Sequence, residues 1–122
     1  MTQRPTARIA FAIPYYSGLH YLAATLESVR RQTIDEWEAV VVDDSGPEPA
    51  ADLVASLNDP RIRYVRNESN LGLAGNWNAA VAASTAPYVT ILHADDELLP
   101  DYAVTMVDLL DRHPGALAGH CR

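Results

Sequence analysis

The hydrophobic positions of the 122-residue chain fall into short runs that alternate between two periodicities. Bulky apolar runs predict strands at residues 8–13, 38–42, 62–66 and 88–92. The continuous β-branched run Val40-Val41-Val42 is typical of a strand covered on both faces, as in a parallel sheet. We expect Pro14 to end the first strand, because proline has no backbone N–H to donate to a neighbouring strand.

Apolar residues spaced three or four positions apart predict a helix after each strand, at residues 19–32, 50–57, 76–84 and 102–112. In the first helix, Leu22, Leu26 and Val29 share one face. The resulting order, βαβαβαβα, predicts an α/β fold with a parallel sheet and right-handed crossovers. Residues 1–122 are expected to form one domain, and Ala116-Leu117-Ala118 are expected at most to begin a fifth strand.

Composition narrows the classes of function that this fold can serve. The net charge of −7 argues against a nucleic-acid partner, whose phosphates would be repelled. The chain contains no lysine, which excludes a Walker-type phosphate loop, and its single cysteine, Cys121, excludes an intramolecular disulfide. The apolar run at residues 9–13 is too short for a signal peptide or a membrane span. A soluble, cytoplasmic protein, free or at the inner face of the membrane, is therefore expected.

Two pairs of adjacent aspartates follow predicted strands. Asp43-Asp44 comes after the second strand and Asp95-Asp96 after the fourth, and the carboxyl ends of parallel strands meet at the ligand-binding edge of the sheet. Either pair alone fits a turn or a helix cap as well as a binding site. Two pairs at one edge favour a ligand that brings positive charge or hydrogen-bond donors. Hard oxygen ligands suit Mg²⁺ or Mn²⁺.

Four segments of the chain form a recognisable set: Ile13-Pro14-Tyr15-Tyr16, Val41-Val42-Asp43-Asp44-Ser45, Asn70-Leu71-Gly72 through Asn76-Trp77-Asn78, and Leu92-His93-Ala94-Asp95-Asp96-Glu97-Leu98-Leu99-Pro100. Together they resemble the nucleotide-binding half of glycosyltransferase family 2, which has the GT-A fold. They occur in the family's order and at similar spacing. The resemblance implies a Rossmann-like, three-layer α/β/α fold with a mainly parallel sheet.

The resemblance also implies which residues bind the nucleotide of a nucleoside-diphosphate sugar. Pro14 and Tyr16 would flank the base. Asp44 would form a hydrogen bond with a ring nitrogen of uracil or a similar base. Gly72 and Asn78 would shape the loop over the nucleotide.

The same resemblance implies an inverting sugar transfer. Asp95 would lie near the ribose, and Asp96 would hold the Mn²⁺ or Mg²⁺ that bridges the diphosphate. The acceptor would be a glycan, a lipid or a protein, in a pathway such as bacterial polysaccharide biosynthesis. The general base of the family lies in its second half, so it is expected beyond Arg122, and the fragment is expected to be inactive alone. Pairing of two copies through a sheet edge, giving a homodimer, is a further hypothesis.

Two departures from the family pattern bear on the site. Ala94 occupies the first position of the family's Asp-x-Asp metal motif, so the carboxylates here are adjacent. Trp77 stands where many relatives have an arginine before the asparagine. Without that cation, neutralisation of the diphosphate is expected to depend more on the metal.

Three other functions share parts of this pattern. A non-catalytic nucleotide-binding fragment would use the same donor residues. A phospho-acceptor receiver domain would need an aspartate after a middle strand and a lysine after a late one, but Arg66-Asn67 follow the third strand and lysine is absent. A dinucleotide-binding redox domain would need Gly-x-Gly-x-x-Gly after the first strand, where the chain has Pro14-Tyr15-Tyr16-Ser17-Gly18.

Overall fold

The computed structural model describes residues 6–116 and residue 118. Its strands are β1 (Ile9–Tyr15), β2 (Trp37–Asp43), β3 (Ile62–Arg66) and β4 (Tyr88–Ile91). Its helices are α1 (Leu19–Arg30), α2 (Ala51–Ser56), α3 (Gly72–Ala82) and α4 (Tyr102–Arg112). The strands form one sheet in the order β3-β2-β1-β4, and every neighbouring pair is parallel. The predicted α/β architecture is confirmed.

One face of the sheet carries the larger core. Phe11 on β1 and Val41 on β2 are fully buried there, against Leu26 of α1 and Val107 of α4. α2 adds Val54 to the same cluster. The apolar stripe predicted for α1 is therefore the stripe that packs on the sheet.

The opposite face of the sheet is covered by α3. Small and β-branched residues meet there: Ala12, Val40 and Val42 from the strands pack against Ala80 from the helix. Because these side chains are short, the α3 backbone lies close to the central strands. Helices on both faces give the three-layer arrangement, and β1 and β2 are buried on both sides, as the continuous apolar run of β2 predicts.

Pro14 does not end β1, which was the wrong part of the strand prediction. The strand continues through Tyr15, with Pro14 in register with Val42 of β2. Hydrogen bonds to β2 come from alternate residues, including Tyr15, so the nitrogen of Pro14 faces the β4 side. Pairing with β4 has ended at Ala12, so the missing N–H of Pro14 breaks no ladder bond.

α3 begins at Gly72, four residues earlier than the predicted start at residue 76. The reason is a tertiary contact that the local sequence does not show, because Asp44 accepts hydrogen bonds from the first amides of this helix. Of the proposed fifth strand, Ala116 and Ala118 lie outside any strand, and Leu117 lies outside the described residues. Cys121 also lies outside the described residues. Within the described part of the chain, no helix has the length and apolar character needed to cross a membrane.

Candidate functional site

A cavity of about 330 Å³ opens at the carboxyl edge of the sheet. Its lining comes from the ends of β1, β2 and β4 and from the loop and first turns of α3: Pro14, Tyr15, Tyr16, Asp44, Asn70, Gly72, Leu73, Asn76, Trp77 and His93. The structure thus brings together four of the residues predicted to bind the nucleotide, Pro14, Tyr16, Asp44 and Gly72. Asn78 is exposed and does not line the cavity.

The first aspartate of the β2 pair has a structural environment. Asp43 is fully buried, and its carboxylate accepts hydrogen bonds from the Tyr64 hydroxyl at 2.6 Å, from Arg66 at 2.9 Å and from the Gly46 amide at 3.1 Å. Burial and the hydrogen bond to Asp43 raise the pKa of Tyr64. The carboxylate of Asp43 therefore joins β3 to the loop after β2, away from the cavity.

The second aspartate, Asp44, faces the cavity and is also held by its own chain. Its Oδ1 accepts hydrogen bonds from Asn67 Nδ2 at 2.9 Å and from the Leu71 amide at 2.7 Å. Its Oδ2 accepts one from the Gly72 amide at 3.1 Å. A carboxylate offers about four acceptor positions, so these three bonds leave one position on Oδ2.

Asn67 connects Asp44 to a residue that sequence reasoning left without a role. Its Nδ2 also lies 2.9 Å from Oδ1 of Asn76, which is buried and donates to the Val42 carbonyl at 3.0 Å. Asn76 lies four residues before Ala80, so both share the face of α3 that packs on the sheet. A polar residue on that otherwise small, apolar face was the signal that could have identified it.

The loops after β1 and β2 are tied together beside the cavity. The Tyr15 hydroxyl donates to the Glu48 carbonyl at 2.7 Å, and Glu48 Oε1 accepts the Gly18 amide at 2.9 Å. Gly46 lies so close to Tyr16 that an added Cβ would be 1.9 Å from the Tyr16 carbonyl oxygen. Burial, together with the nearby Glu48 carboxylate, raises the pKa of Tyr15 to about 12. The wall that holds Pro14 and Tyr16 is consequently fixed by the β2 loop.

An aromatic pair closes the β4 side of the cavity. The rings of Trp77 and His93 lie 5.1 Å apart and are inclined at 55°. Trp77 Nε1 is buried and has no hydrogen-bond partner among the described residues. The position that the family often fills with a cation therefore presents a ring surface here.

The β4 aspartate pair differs from the β2 pair in its surroundings. Asp95 and Asp96 are exposed and follow His93, which lines the cavity, but neither aspartate is among the lining residues. Neither carboxylate has a hydrogen bond or ion pair within residues 6–116. In the described part of the chain, no group of three or more His, Cys, Asp or Glu side chains is arranged to hold a metal. Two free carboxylates suit Mg²⁺ or Mn²⁺ when phosphate oxygens of a ligand complete the coordination.

Comparison with known proteins places this geometry in a family. The family model described as Glycosyl transferase family 2 matches residues 10–122. Similar curated proteins include the succinoglycan biosynthesis protein ExoO of Rhizobium meliloti, 30% identical over 84% of this chain and 30% of that protein. The putative colanic acid biosynthesis glycosyl transferase WcaA of Escherichia coli is 33% identical over 76% of this chain and 34% of its own length. The chain thus spans about a third of the length of these relatives.

Solved structures share the fold. TarS 1-349 from S. aureus superposes with a TM-score of 0.80 at 23% identity, covering 88% of this chain and 33% of that one. Crystal structures of the same TarS segment in complex with UDP and with UDP-GlcNAc match at TM-scores of 0.79 and 0.80.

Proposed function

The chain belongs to glycosyltransferase family 2, and on that basis we propose that it forms the donor-binding half of an inverting, nucleotide-sugar-dependent enzyme. The observation that carries this proposal is the contrast between Asp44, which lines the cavity, and Asp95-Asp96, which follow the lining residue His93. Asp44 is an immobilised acceptor in the wall, whereas Asp95 and Asp96 are exposed carboxylates without partners, two and three residues beyond His93. The first arrangement suits recognition of a base, and the second suits a cation bound to a diphosphate.

Recognition of the base follows from the hydrogen bonds of Asp44. Three donors from the chain hold its carboxylate, and the remaining position on Oδ2 accepts a hydrogen bond but cannot donate one. Uracil, thymine and guanine present a ring N–H to such an acceptor, whereas cytosine presents a ring nitrogen lone pair. The donor therefore carries one of the first three bases, held between Pro14 and Tyr16. The fold neighbour TarS, crystallised with UDP and UDP-GlcNAc, supports a nucleotide-sugar ligand.

The exposed carboxylates of Asp95 and Asp96 have the chemistry to hold a divalent metal. Asp96 would provide the direct ligand, and Asp95 would lie beside the ribose. When bound, Mn²⁺ or Mg²⁺ would act as a Lewis acid that neutralises charge on the leaving diphosphate. Trp77 brings no cation to the cavity wall, so Asp95 and Asp96, with a metal bound, would carry a larger share of the diphosphate binding.

The acceptor is proposed from the relatives. The names of ExoO and WcaA refer to the biosynthesis of succinoglycan and colanic acid. A third relative, WfgD of Escherichia coli, is named a glucosyltransferase that uses UDP-Glc and a diphosphoundecaprenol-linked sugar, and it is 31% identical over 72% of this chain and 35% of its own length. We therefore propose a growing glycan on a lipid carrier as acceptor, which would bring the enzyme to the membrane surface.

Because the chain spans about a third of these relatives, donor binding without turnover is the second candidate function for the polypeptide itself. Both candidates share the same donor site. They differ in whether the bound UDP-sugar reacts, either by hydrolysis or by transfer of its sugar. Both reactions release UDP, so UDP release distinguishes the two candidates.

Calorimetric titration of the chain with UDP, dTDP, GDP and CDP, with and without Mn²⁺ or Mg²⁺, tests the donor site. We expect binding of at least one of the first three, weaker binding of CDP, and tighter binding with metal. Asp96→Asn should remove the metal dependence, and Asp101→Asn, another exposed carboxylate of the same loop, should preserve it. A folded chain that binds none of the four nucleotides would overturn the assignment.

A further inference from the structure

A row of polar side chains is buried on α1 and at its end. Thr25, Ser28 and Gln32 are 0%, 4% and 6% exposed, although the sequence pattern of the helix draws attention only to its apolar stripe. Buried hydroxyl and amide groups are costly unless they are hydrogen-bonded. Their spacing of three and four residues places them on one side of the helix. This side faces the loop that follows Asp95 and Asp96.

The first two members of the row bind the main chain of that loop. Thr25 Oγ1 donates to the carbonyl oxygen of Asp96 at 2.6 Å. Ser28 Oγ accepts the Leu98 amide at 3.0 Å and donates to the Thr25 carbonyl at 2.7 Å. The hydroxyl of Thr25 therefore fixes the backbone of Asp96, the residue whose carboxylate is exposed and without a partner.

The third member continues the contact to the start of α4. Gln32 Nε2 donates to the Leu99 carbonyl at 2.9 Å, and Gln32 Oε1 accepts the Ala103 amide at 2.8 Å. The Thr33 amide donates to the Pro100 carbonyl at 3.0 Å. Leu99 is itself 78% exposed, so hydrogen bonds to its main chain, and not burial of its side chain, hold this part of the loop.

We propose that Thr25 is a positioning residue for the metal-binding carboxylate of Asp96. The inference rests on the proposed donor site. The Asp96 amide is bonded to the His93 carbonyl at 3.0 Å and its carbonyl to Thr25, so the main chain is held on both sides of the Cα atom. The Asp96 side chain has no partner of its own within residues 6–116, so the hydrogen-bonded backbone alone sets which positions its carboxylate can reach. Loss of the Thr25 hydroxyl would remove the hydrogen bond that holds the Asp96 carbonyl.

The test compares Thr25→Val, which keeps the shape of the side chain but lacks the hydroxyl, with Thr25→Ser, which keeps the hydroxyl. Thr85→Val is the matched control, because its hydroxyl donates to Glu38 at 2.7 Å at the opposite end of the sheet. The apparent Mn²⁺ affinity of each variant is measured by titrating Mn²⁺ into chain and UDP, and UDP affinity is measured separately without metal. Urea unfolding establishes that each variant is folded at the assay temperature.

We expect Thr25→Val to weaken the apparent Mn²⁺ affinity by about tenfold, as is typical when an outer hydrogen bond of a metal site is lost. Metal-free UDP affinity should stay within about twofold of wild type, because Asp44 and its partners are unchanged. Thr25→Ser should restore the Mn²⁺ affinity, and Thr85→Val should leave it unchanged. Amide hydrogen exchange of Asp96 and Leu98 should be faster in Thr25→Val.

The outcomes separate this inference from the proposed function. If the wild-type chain binds UDP with the same affinity with and without Mn²⁺, the metal site itself is refuted. A wild-type chain that responds to Mn²⁺ while Thr25→Val responds equally would refute only the positioning role. The same holds if Thr25→Ser fails to rescue, or if Thr85→Val loses as much Mn²⁺ affinity as Thr25→Val.

Discussion

Oδ1 of Asp44 lies 2.7 Å from the amide nitrogen of Leu71, the residue that precedes α3. The carboxylate that faces the cavity is therefore also the group that stabilises the start of the helix above it. A helix N-terminus has unpaired amides and a partial positive charge, and a carboxylate satisfies both. Nucleotide binding and the stability of α3 are thus expected to depend on the same side chain.

Replacing Asp44 with asparagine should weaken both properties. The Asn side chain keeps one acceptor oxygen but turns an N–H towards the donors of the loop, leaving a buried donor unsatisfied. We expect the free energy of unfolding to fall by about 1–3 kcal/mol, measured by urea denaturation. UDP binding, measured by calorimetry on the folded fraction, should fall at least tenfold. Asp108→Asn, which removes an exposed pair with Arg112, should change stability by less than about 0.5 kcal/mol.

Gly46 should be the least replaceable residue of the β2 loop. In Gly46→Ala the new Cβ would lie 1.9 Å from the Tyr16 carbonyl oxygen, so the main chain of one loop would have to move. The expected loss is about 3 kcal/mol, with weaker UDP binding because Tyr16 is displaced. Gly115→Ala, where an added Cβ meets nothing within 4 Å, is the control. Equal stability of the two variants would contradict the close approach of the loops.

The sequence predicted the sheet well because each strand carries its own apolar signal. The bounds of β3 and α4 were predicted correctly, and the burial of β2 on both faces follows from its valine run. The extension of β1 through Pro14 and the early start of α3 could not be read locally. The first depends on where β4 stops pairing, and the second on a carboxylate 28 residues away from Gly72.

Because of Glu38, the free energy of unfolding of the chain should depend on pH in the acidic range. Its carboxylate accepts the Thr85 amide at 2.5 Å, the Thr85 hydroxyl at 2.7 Å and the Ala86 amide at 3.1 Å, fixing the connection before β4. Burial raises the pKa of Glu38, but these hydrogen bonds outweigh it, so the pKa lies below its usual value of 4.5. The stabilisation is therefore complete above pH 4.5 and is lost as the pH falls through the lowered pKa.

Glu38→Gln should accordingly be less stable than wild type at pH 7, by about 1–2 kcal/mol. The difference should shrink as urea unfolding is repeated at decreasing pH below 4.5. Glu68→Gln, an exposed carboxylate with no partner within residues 6–116, serves as the control and should follow wild type throughout. A Glu38→Gln deficit that stays constant down to pH 3 would exclude the proposed linkage.

The candidate site was only partly accessible to sequence reasoning. The sequence offered two similar aspartate pairs, and their partners lie far along the chain: Tyr64 and Arg66 bind Asp43, and Leu71 binds Asp44. Only the folded arrangement separates satisfied carboxylates from free ones. The polar row of α1 was missed for the same reason, because Thr25 acquires its partner only when the loop after β4 is in place.

Trp77 offers a test of how the site neutralises a diphosphate. The family often has an arginine at this position, whereas here the Trp77 ring lies against His93 at the cavity wall. Trp77→Arg would bring a cation to that wall, and because Nε1 of Trp77 has no hydrogen-bond partner in the described chain, no such bond is broken. We expect metal-free UDP binding to tighten by about fivefold, the equivalent of about 1 kcal/mol for a partly exposed ion pair. The additional gain from Mn²⁺ should shrink, since part of the phosphate charge is already neutralised.

Trp77→Phe keeps an aromatic ring without charge, and it should retain the wild-type metal dependence in the same calorimetric titrations. If Mn²⁺ tightens UDP binding equally in Trp77→Arg and Trp77→Phe while both remain folded, the diphosphate does not bind next to Trp77. Trp77 would then contact another part of the ligand.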